Sequence, residues 1–306
     1  MKMLLSITSL LFSCVSLFAI PDYTNVGAVS YELNGGRFGD NIRSFTQAYW
    51  ESYKHHLPLL YVPFPGSESL MLHVQFEELT SAVKARYARV HKIGERCPVN
   101  ITDTKDTLYI LTYFSKTDID WTDQEFVEQV RQLFTPRDQI MLPEDIENAI
   151  GLHIRRGGGF PGDNNRALYT EPAHFPEVVY FARALSYLLT QLEGNYKVFI
   201  FTDDPNPAAI AQELYHQLDP ITAARVELHY RARDNFHDRH VIEDFVALQH
   251  TRYMIRPISN FSEYAYLLGN HECSVIPSRF RPGTPYGIVE SAVFLYKDRP
   301  ADFVLL

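Results

Sequence analysis

Between residues 29 and 268 the chain alternates short apolar runs with segments of helical period, and polar residues gather where the apolar runs end. Parallel strands need a long crossover between them, usually a helix, so this rhythm predicts parallel sheets covered on both faces. Strands are expected at Val29 to Leu33, Leu59 to Val62 and Thr107 to Tyr113. Ile42, Phe45, Tyr49 and Tyr53 mark a helix from Asn41 to His55, and Thr122 with Glu125 forms a capping box for another. Pro143 to Asn148 reads as a connector, after which the pattern restarts. Strands are then expected at Ile150 to Ile154, Lys197 to Phe201, Val226 to Tyr230 and Tyr253 to Ile255. Helices are expected at Phe175 to Leu192, Pro207 to Leu218, Val241 to His250 and Phe261 to Leu268. The expected architecture is α/β, with two Rossmann-like domains, residues 22–145 and 146–306, whose parallel sheets face a central cleft. Ligands of such sheets bind beyond the carboxyl ends of the strands.

Composition removes several classes of function. The 306 residues carry 28 Lys and Arg against 37 Asp and Glu, a net charge of −9, which gives no overall field for a nucleic-acid backbone. Three cysteines exclude a disulfide scaffold and a structural zinc cluster. Cys97 and Cys273 are read as two separate buried thiols, although an oxidising compartment would allow a bridge. Of the basic residues 20 are Arg and 8 are Lys, and Arg's planar fork suits bidentate contact with phosphate.

Residues 1–21 form a targeting segment. Lys2 precedes an uncharged run from Met3 to Ile20, with Ala19 at a cleavage position and Pro21-Asp22 after it, the pattern of a secretory signal peptide. The run approaches the length of a membrane span, so a retained signal anchor is the alternative, and contact with a membrane is expected only in that case. Export is the expected localisation. Asn100-Ile101-Thr102 and Asn260-Phe261-Ser262 are glycosylation sequons.

Four polar motifs fall where strands end. Gly35-Gly36-Arg37-Phe38-Gly39-Asp40-Asn41 joins a strand to a helix, with glycines that permit close backbone approach and helix-start N–H groups beyond them. It lacks the spacing of dinucleotide or P-loop motifs. His153-Ile154-Arg155-Arg156-Gly157-Gly158-Gly159 places two arginines at a strand end, costly to bury without anions. Strand alternation starts the two in opposite directions, with Arg155 on the His153 face. Thr202-Asp203-Asp204-Pro205 offers carboxylates that bind hydroxyls, orient an arginine or cap the next helix. Glu243-Asp244-Phe245 precedes Ser259-Asn260-Phe261-Ser262-Glu263-Tyr264-Ala265, in which the serines hold a phosphate or simply cap a helix. His237-Asp238-Arg239-His240 has no metal-ligand spacing, and no His-Glu-x-x-His or Gly-x-Ser-x-Gly occurs. Tyr49 and Trp50 are expected to pack inside the fold.

In this order the four motifs resemble the fucosyltransferase superfamily with the GT-B fold, over about residues 31 to 268. The serine motif is similar to nodulation-type enzymes, and the double arginine to α-1,2- and α-1,6-fucosyltransferases. Gly158 departs from the pattern, since many relatives carry Asp or Asn there. The resemblance implies transfer of fucose from GDP-fucose to a glycan hydroxyl without a metal or other cofactor. It implies that Arg155 contacts the diphosphate with Arg156 supporting it, and that His153, Asp203, Ser259 and Ser262 line the donor site. Arg37 to Asn41, including Gly39, face that site from the amino-terminal, acceptor-side domain. Asp204, Asn260 and Phe261 complete the expected donor set. Asp40 and Asp203 are the candidates for removing the acceptor proton. The partners implied are a nucleotide sugar and a glycan acceptor, with another nucleotide sugar as an alternative donor. The rival from a different class is an exported carbohydrate-binding protein without catalysis.

Overall fold

The computed structural model describes residues 26–94, 96–157, 171–235, 239–281 and 288–306. The targeting segment, Gly158 and the His237-Asp238 pair lie outside the described residues.

In the first half, β1 (Ala28–Tyr31), β2 (Arg89–Ile93) and β3 (Thr107–Leu111) form a parallel sheet of order β1-β3-β2. The strand expected at Leu59 to Val62 makes only isolated bridges, Leu59 to Val29 and Tyr61 to Glu78. Pro58 and Pro63 flank it without N–H donors, so the segment runs extended and buried but builds no ladder. Helix α1 (Phe38–His55) begins three residues earlier than its apolar period, because Phe38 and Gly39 also pack. Helix α2 (Gln124–Leu133) is capped by Asp123, whose carboxylate accepts the Phe126 N–H at 3.0 Å. The expected capping residue Thr122 instead donates its hydroxyl to Asp120 Oδ1. A carboxylate satisfies the first turn and its dipole better than a hydroxyl, which shifts the cap by one residue.

The second half is a seven-stranded sheet. Its strands are β4 (Ile150–Ile154), β5 (Tyr196–Thr202), β6 (Val226–Tyr230), β7 (Tyr253–Ile255), β8 (Cys273–Arg281), β9 (Ile288–Tyr296) and β10 (Asp302–Leu305). The order is β10-β9-β8-β7-β4-β5-β6. Strands β4 to β7 pair in parallel as expected, whereas the parallel β8 and the antiparallel β9 and β10 extend the sheet beyond what the helix–strand rhythm announces. Helices α3 (Val178–Thr190) and α4 (Pro207–Gln217) cover one face, and α5 (Val241–His250) and α6 (Asn260–Leu268) cover the other. Helix α3 starts after Pro176 because a residue preceding proline, here Phe175, is driven out of the helical region.

The two halves share one apolar core. Phe45, Leu111 and Phe126 from the first half pack in a continuous cluster with Phe245, Leu248, Tyr264 and Leu268 of the second. Tyr49 and Trp50 belong to it, both in ring contact with Phe126. Arg131 of α2 donates from Nε to the Leu268 carbonyl at 2.9 Å and so caps the carboxyl end of α6. Both Cys97 and Cys273 are free. Cys273 is buried in β8 as expected, but Cys97 is exposed, on the loop between β2 and β3.

Candidate active site between the two sheets

A cavity of about 380 Å³ opens where the carboxyl ends of β4, β5 and β7 meet the amino-terminal ends of α1, α5 and α6. Arg37, Gly39, Asp40, His153, Arg155, Asp203, Ser259, Asn260 and Phe261 all line it. Residues from Arg37 to Phe261 are thus gathered by strand ends and helix starts.

The helix starts meet directly. A Cβ on Gly39 would lie 2.4 Å from the Phe261 nitrogen and 2.8 Å from its Cα, so only glycine allows α1 and α6 to approach this closely. Each helix brings unpaired N–H groups and a partial positive charge to the junction. Ser259, the N-cap of α6, does not spend its hydroxyl on capping, which leaves it available to the cavity. Ser262 is fully buried, 3.4 Å from the Ser259 carbonyl, and does not line the cavity.

The arginines separate by role. Arg155 lies over the Phe175 ring, 4.7 Å from its centroid, and among the described residues its Nε has no partner. Burial, then the nearby Arg37 charge, lowers its pKa to about 10, so it stays charged at neutral pH. Arg156 points elsewhere: its guanidinium donates to the Pro176 carbonyl at 2.9 Å, and its backbone N–H donates to Asp203 Oδ1 at 2.6 Å. Its side chain secures the entry to α3 and is not among the residues that line the cavity, so the supporting part expected of it is played from outside. Arg37 reaches from the first half to Asp203 Oδ2 at 2.9 Å.

Two other expected donor residues also turn away. Asp204 accepts the Asn206 N–H at 2.7 Å and so shapes the turn into α4. Asn41 is buried, its amide nitrogen 3.5 Å from the Gly36 carbonyl, and it supports the glycine loop from behind.

Asp40 sits in a network. Its Oδ1 accepts from the Tyr113 hydroxyl at 2.7 Å and from Asn260 Nδ2 at 2.7 Å, and the same Asn260 amide lies 2.8 Å from the Tyr113 oxygen. Burial and the Asp40 carboxylate push the Tyr113 phenol up, so it remains a donor. Asn260 is thereby committed inside the site through both contacts of its amide nitrogen. His153 is buried against Phe261, at 5.2 Å between ring centroids, and burial pushes its pKa down to about 3. A neutral imidazole at this position accepts or donates a hydrogen bond but holds no charge at physiological pH.

The sequence assigns no role to four further lining residues. Arg43 stacks over the Tyr113 ring at 5.0 Å, and Arg239 lines the cavity on the α5 side. Asp244, in the first turn of α5, is paired with Arg231 at 2.7 Å, yet burial raises its pKa to about 6. Glu263 lies in the first turn of α6. Asp244 and Glu263 stand within the fourth motif, where strand-end reasoning stops at the serines. Arg43 and Tyr113 meet only through tertiary contacts within the first half, which Asn260 of α6 then joins. Among the described residues, no group of three or more His, Cys, Asp or Glu side chains is placed to hold a metal.

No protein-family model and no curated protein matches the chain. Solved structures do. A point mutant of Arabidopsis thaliana FUT1 in complex with GDP superposes with a TM-score of 0.53 at 14% identity, over 87% of this chain and 73% of that one. The fucosyltransferase NodZ from Bradyrhizobium gives 0.42 at 15% identity, over 89% and 99% of the two chains. POFUT1 in complex with GDP-fucose gives 0.44 at 10% identity, over 81% and 94%. The architecture built from the strand order upward is therefore the α/β GT-B fold, shared with the plant enzyme over most of this chain.

Proposed function

We propose that the protein is a glycosyltransferase that moves fucose from GDP-fucose to a hydroxyl of a glycan acceptor, without a metal. The observation that carries this reading is Arg155, charged, its Nε without a partner among the described residues, in a cavity shared with the Ser259 hydroxyl that makes no capping bond and with the start of α6. A glycosyl donor leaves behind a diphosphate that gains negative charge as the C1–O bond breaks. Preorganised N–H donors and a fixed guanidinium in a cavity stabilise that charge without reorganising. Guanine as the base is supported by Asp244. Guanine offers adjacent N1–H and N2–H donors that a carboxylate accepts together, whereas uracil offers a single N–H between two carbonyls. The choice of fucose rests on the four-motif resemblance, and the acceptor is assigned to the side built by α1 and β3.

Calorimetry of the purified protein against GDP, UDP and their sugars tests the donor. GDP should bind in EDTA, and at 100-fold excess over Kd it should stabilise the fold by about 2.7 kcal/mol. Binding that needs a divalent cation, or UDP displacing GDP, refutes the assignment. We further propose export directed by residues 1–21, tested by amino-terminal sequencing of the mature protein. A start at Met1 in a membrane-free fraction would exclude it.

A further inference from the structure

The cavity holds four carboxylates, and their partners rank them as acceptors for the proton of the incoming hydroxyl. Asp203 is fully engaged, with Oδ2 on Arg37 and Oδ1 on the Arg156 N–H. Asp40 accepts two hydrogen bonds at Oδ1, and its Oδ2 faces Gly36 so closely that a Cβ there would lie 2.4 Å from it. Asp244 is held by Arg231. Glu263 is exposed at the cavity and, among the described residues, makes no side-chain hydrogen bond or ion pair.

From this arrangement we propose that Glu263 is the catalytic base of the transfer reaction, an inference that rests on the transferase reading above. The Glu263 N–H donates to the Ser259 carbonyl at 2.9 Å, so the two residues stand one helical turn apart on one face of α6. That turn is about 6 Å along the axis, and helical side chains lean toward the amino terminus, here toward the cavity. The attacking oxygen must lie about 3–3.5 Å from C1, and the base within about 3 Å of that oxygen. Glu263 is the cavity carboxylate with no side-chain partner among the described residues to hold it away from such a hydroxyl.

The Glu263 carboxylate takes the proton of the acceptor O–H, and the oxygen's electron pair forms the new bond to C1. The C1–O bond to the β-phosphate breaks, its electron pair stays with the diphosphate beside Arg155, and GDP departs. Glu263 then returns its proton to solvent. The charged groups around it are Arg256, just past β7, and Arg43 and Asp40 of α1 across the cavity.

The experiment follows GDP release from GDP-fucose by the purified protein, first with water as acceptor and then with azide, an anionic nucleophile that needs no deprotonation. E263Q should bind GDP within twofold of the parent, lose water-dependent release by 100-fold or more, and keep azide-dependent release. The acid limb of the pH profile should disappear with it, and E263D should recover part of the rate. Full water-dependent release by E263Q, with the parent's pH profile, overturns the role of Glu263 and leaves the donor reading standing. Loss of release with both nucleophiles while GDP still binds also overturns it, since a base is idle toward azide. A parent protein that releases no GDP with either nucleophile overturns the transferase reading and this inference together.

Discussion

Replacing Gly39 with alanine puts a methyl group where α1 and α6 touch. The new Cβ would sit 2.4 Å from the Phe261 nitrogen, 2.8 Å from its Cα and 2.9 Å from the Asn260 carbonyl carbon. All three are backbone atoms of a helix start, so no side chain can swing aside. Ordinary contact begins near 3.4 Å, and relief therefore requires the helices to part by about 1 Å. Overpacking of this kind costs roughly 1–3 kcal/mol, which in a chain of this size lowers Tm by about 2–6 °C. The larger effect should be on ligand. A 1 Å displacement of positioned groups costs on the order of 100-fold, and Ser259, Asn260 and Phe261 all ride on the displaced helix. Differential scanning calorimetry and GDP titration read the two effects separately. Gly35→Ala is the control: its φ of +76° is strained for alanine, but nothing lies within 4 Å, so it should cost about 1 kcal/mol and leave GDP binding unchanged. If G39A melts and binds GDP like the parent, the helix starts do not form the ligand site.

Arg155→Lys should lower turnover about 100-fold or more with little change in Tm, because charge is kept and the planar fork is lost. Arg156→Lys should do the reverse, costing about 1 kcal/mol through its bond to Pro176 with activity retained; equal effects on turnover would contradict the geometry. Asp244 must be ionised to accept two guanine donors, so GDP affinity should hold from pH 8 to 7 and fall toward tenfold per unit below about pH 6. Asp244→Asn should flatten that dependence, and an unchanged pH profile in the variant would sink the assignment. Acid should also weaken the fold itself. His153 titrates at about 3 and His271 at about 4 when folded, against about 6.5 unfolded, so the unfolded chain binds more protons between those values. Their stabilisation is complete above about pH 6.5, and each should lose about 2 kcal/mol by pH 5. Asp244 acts in the opposite sense between about 4 and 6, but one group does not offset two. A Tm that is level from pH 7.5 to 5 would show that these imidazoles are not buried as described.

The parallel frame was legible because β4 and β7 are short, fully buried runs and β6 alternates apolar with polar residues, each between helices of clear period, and their limits coincide with the expected ones. β2 was not, since Arg-Val-His-Lys-Ile is exposed at four of its five residues and reads as a loop. β8 hides behind Pro277 and a polar end at Ser278 to Arg281, sustained by pairing with β9 rather than by its own pattern. At the site, strand alternation separated Arg155 from Arg156 in advance, because it is a local rule. The network of Asp40, Tyr113 and Asn260 had no local signal. It joins residues up to 220 positions apart, and the engagement of Asp40 that it creates is what moves attention to Glu263.

The shared core has a consequence for how the chain is made. Phe45, Leu111 and Phe126 are complete by residue 133, yet the α5 and α6 residues that cover them begin at 241. At a synthesis rate of roughly 5–20 residues per second, the first half waits about 5–20 s with its aromatic face open to water. During that interval it resembles a folding intermediate with exposed hydrophobic surface, the kind that chaperones hold or that aggregates at high expression. Slower elongation through residues 134 to 240 should therefore lower the yield of native protein, while changes in elongation rate after residue 268 should have little effect.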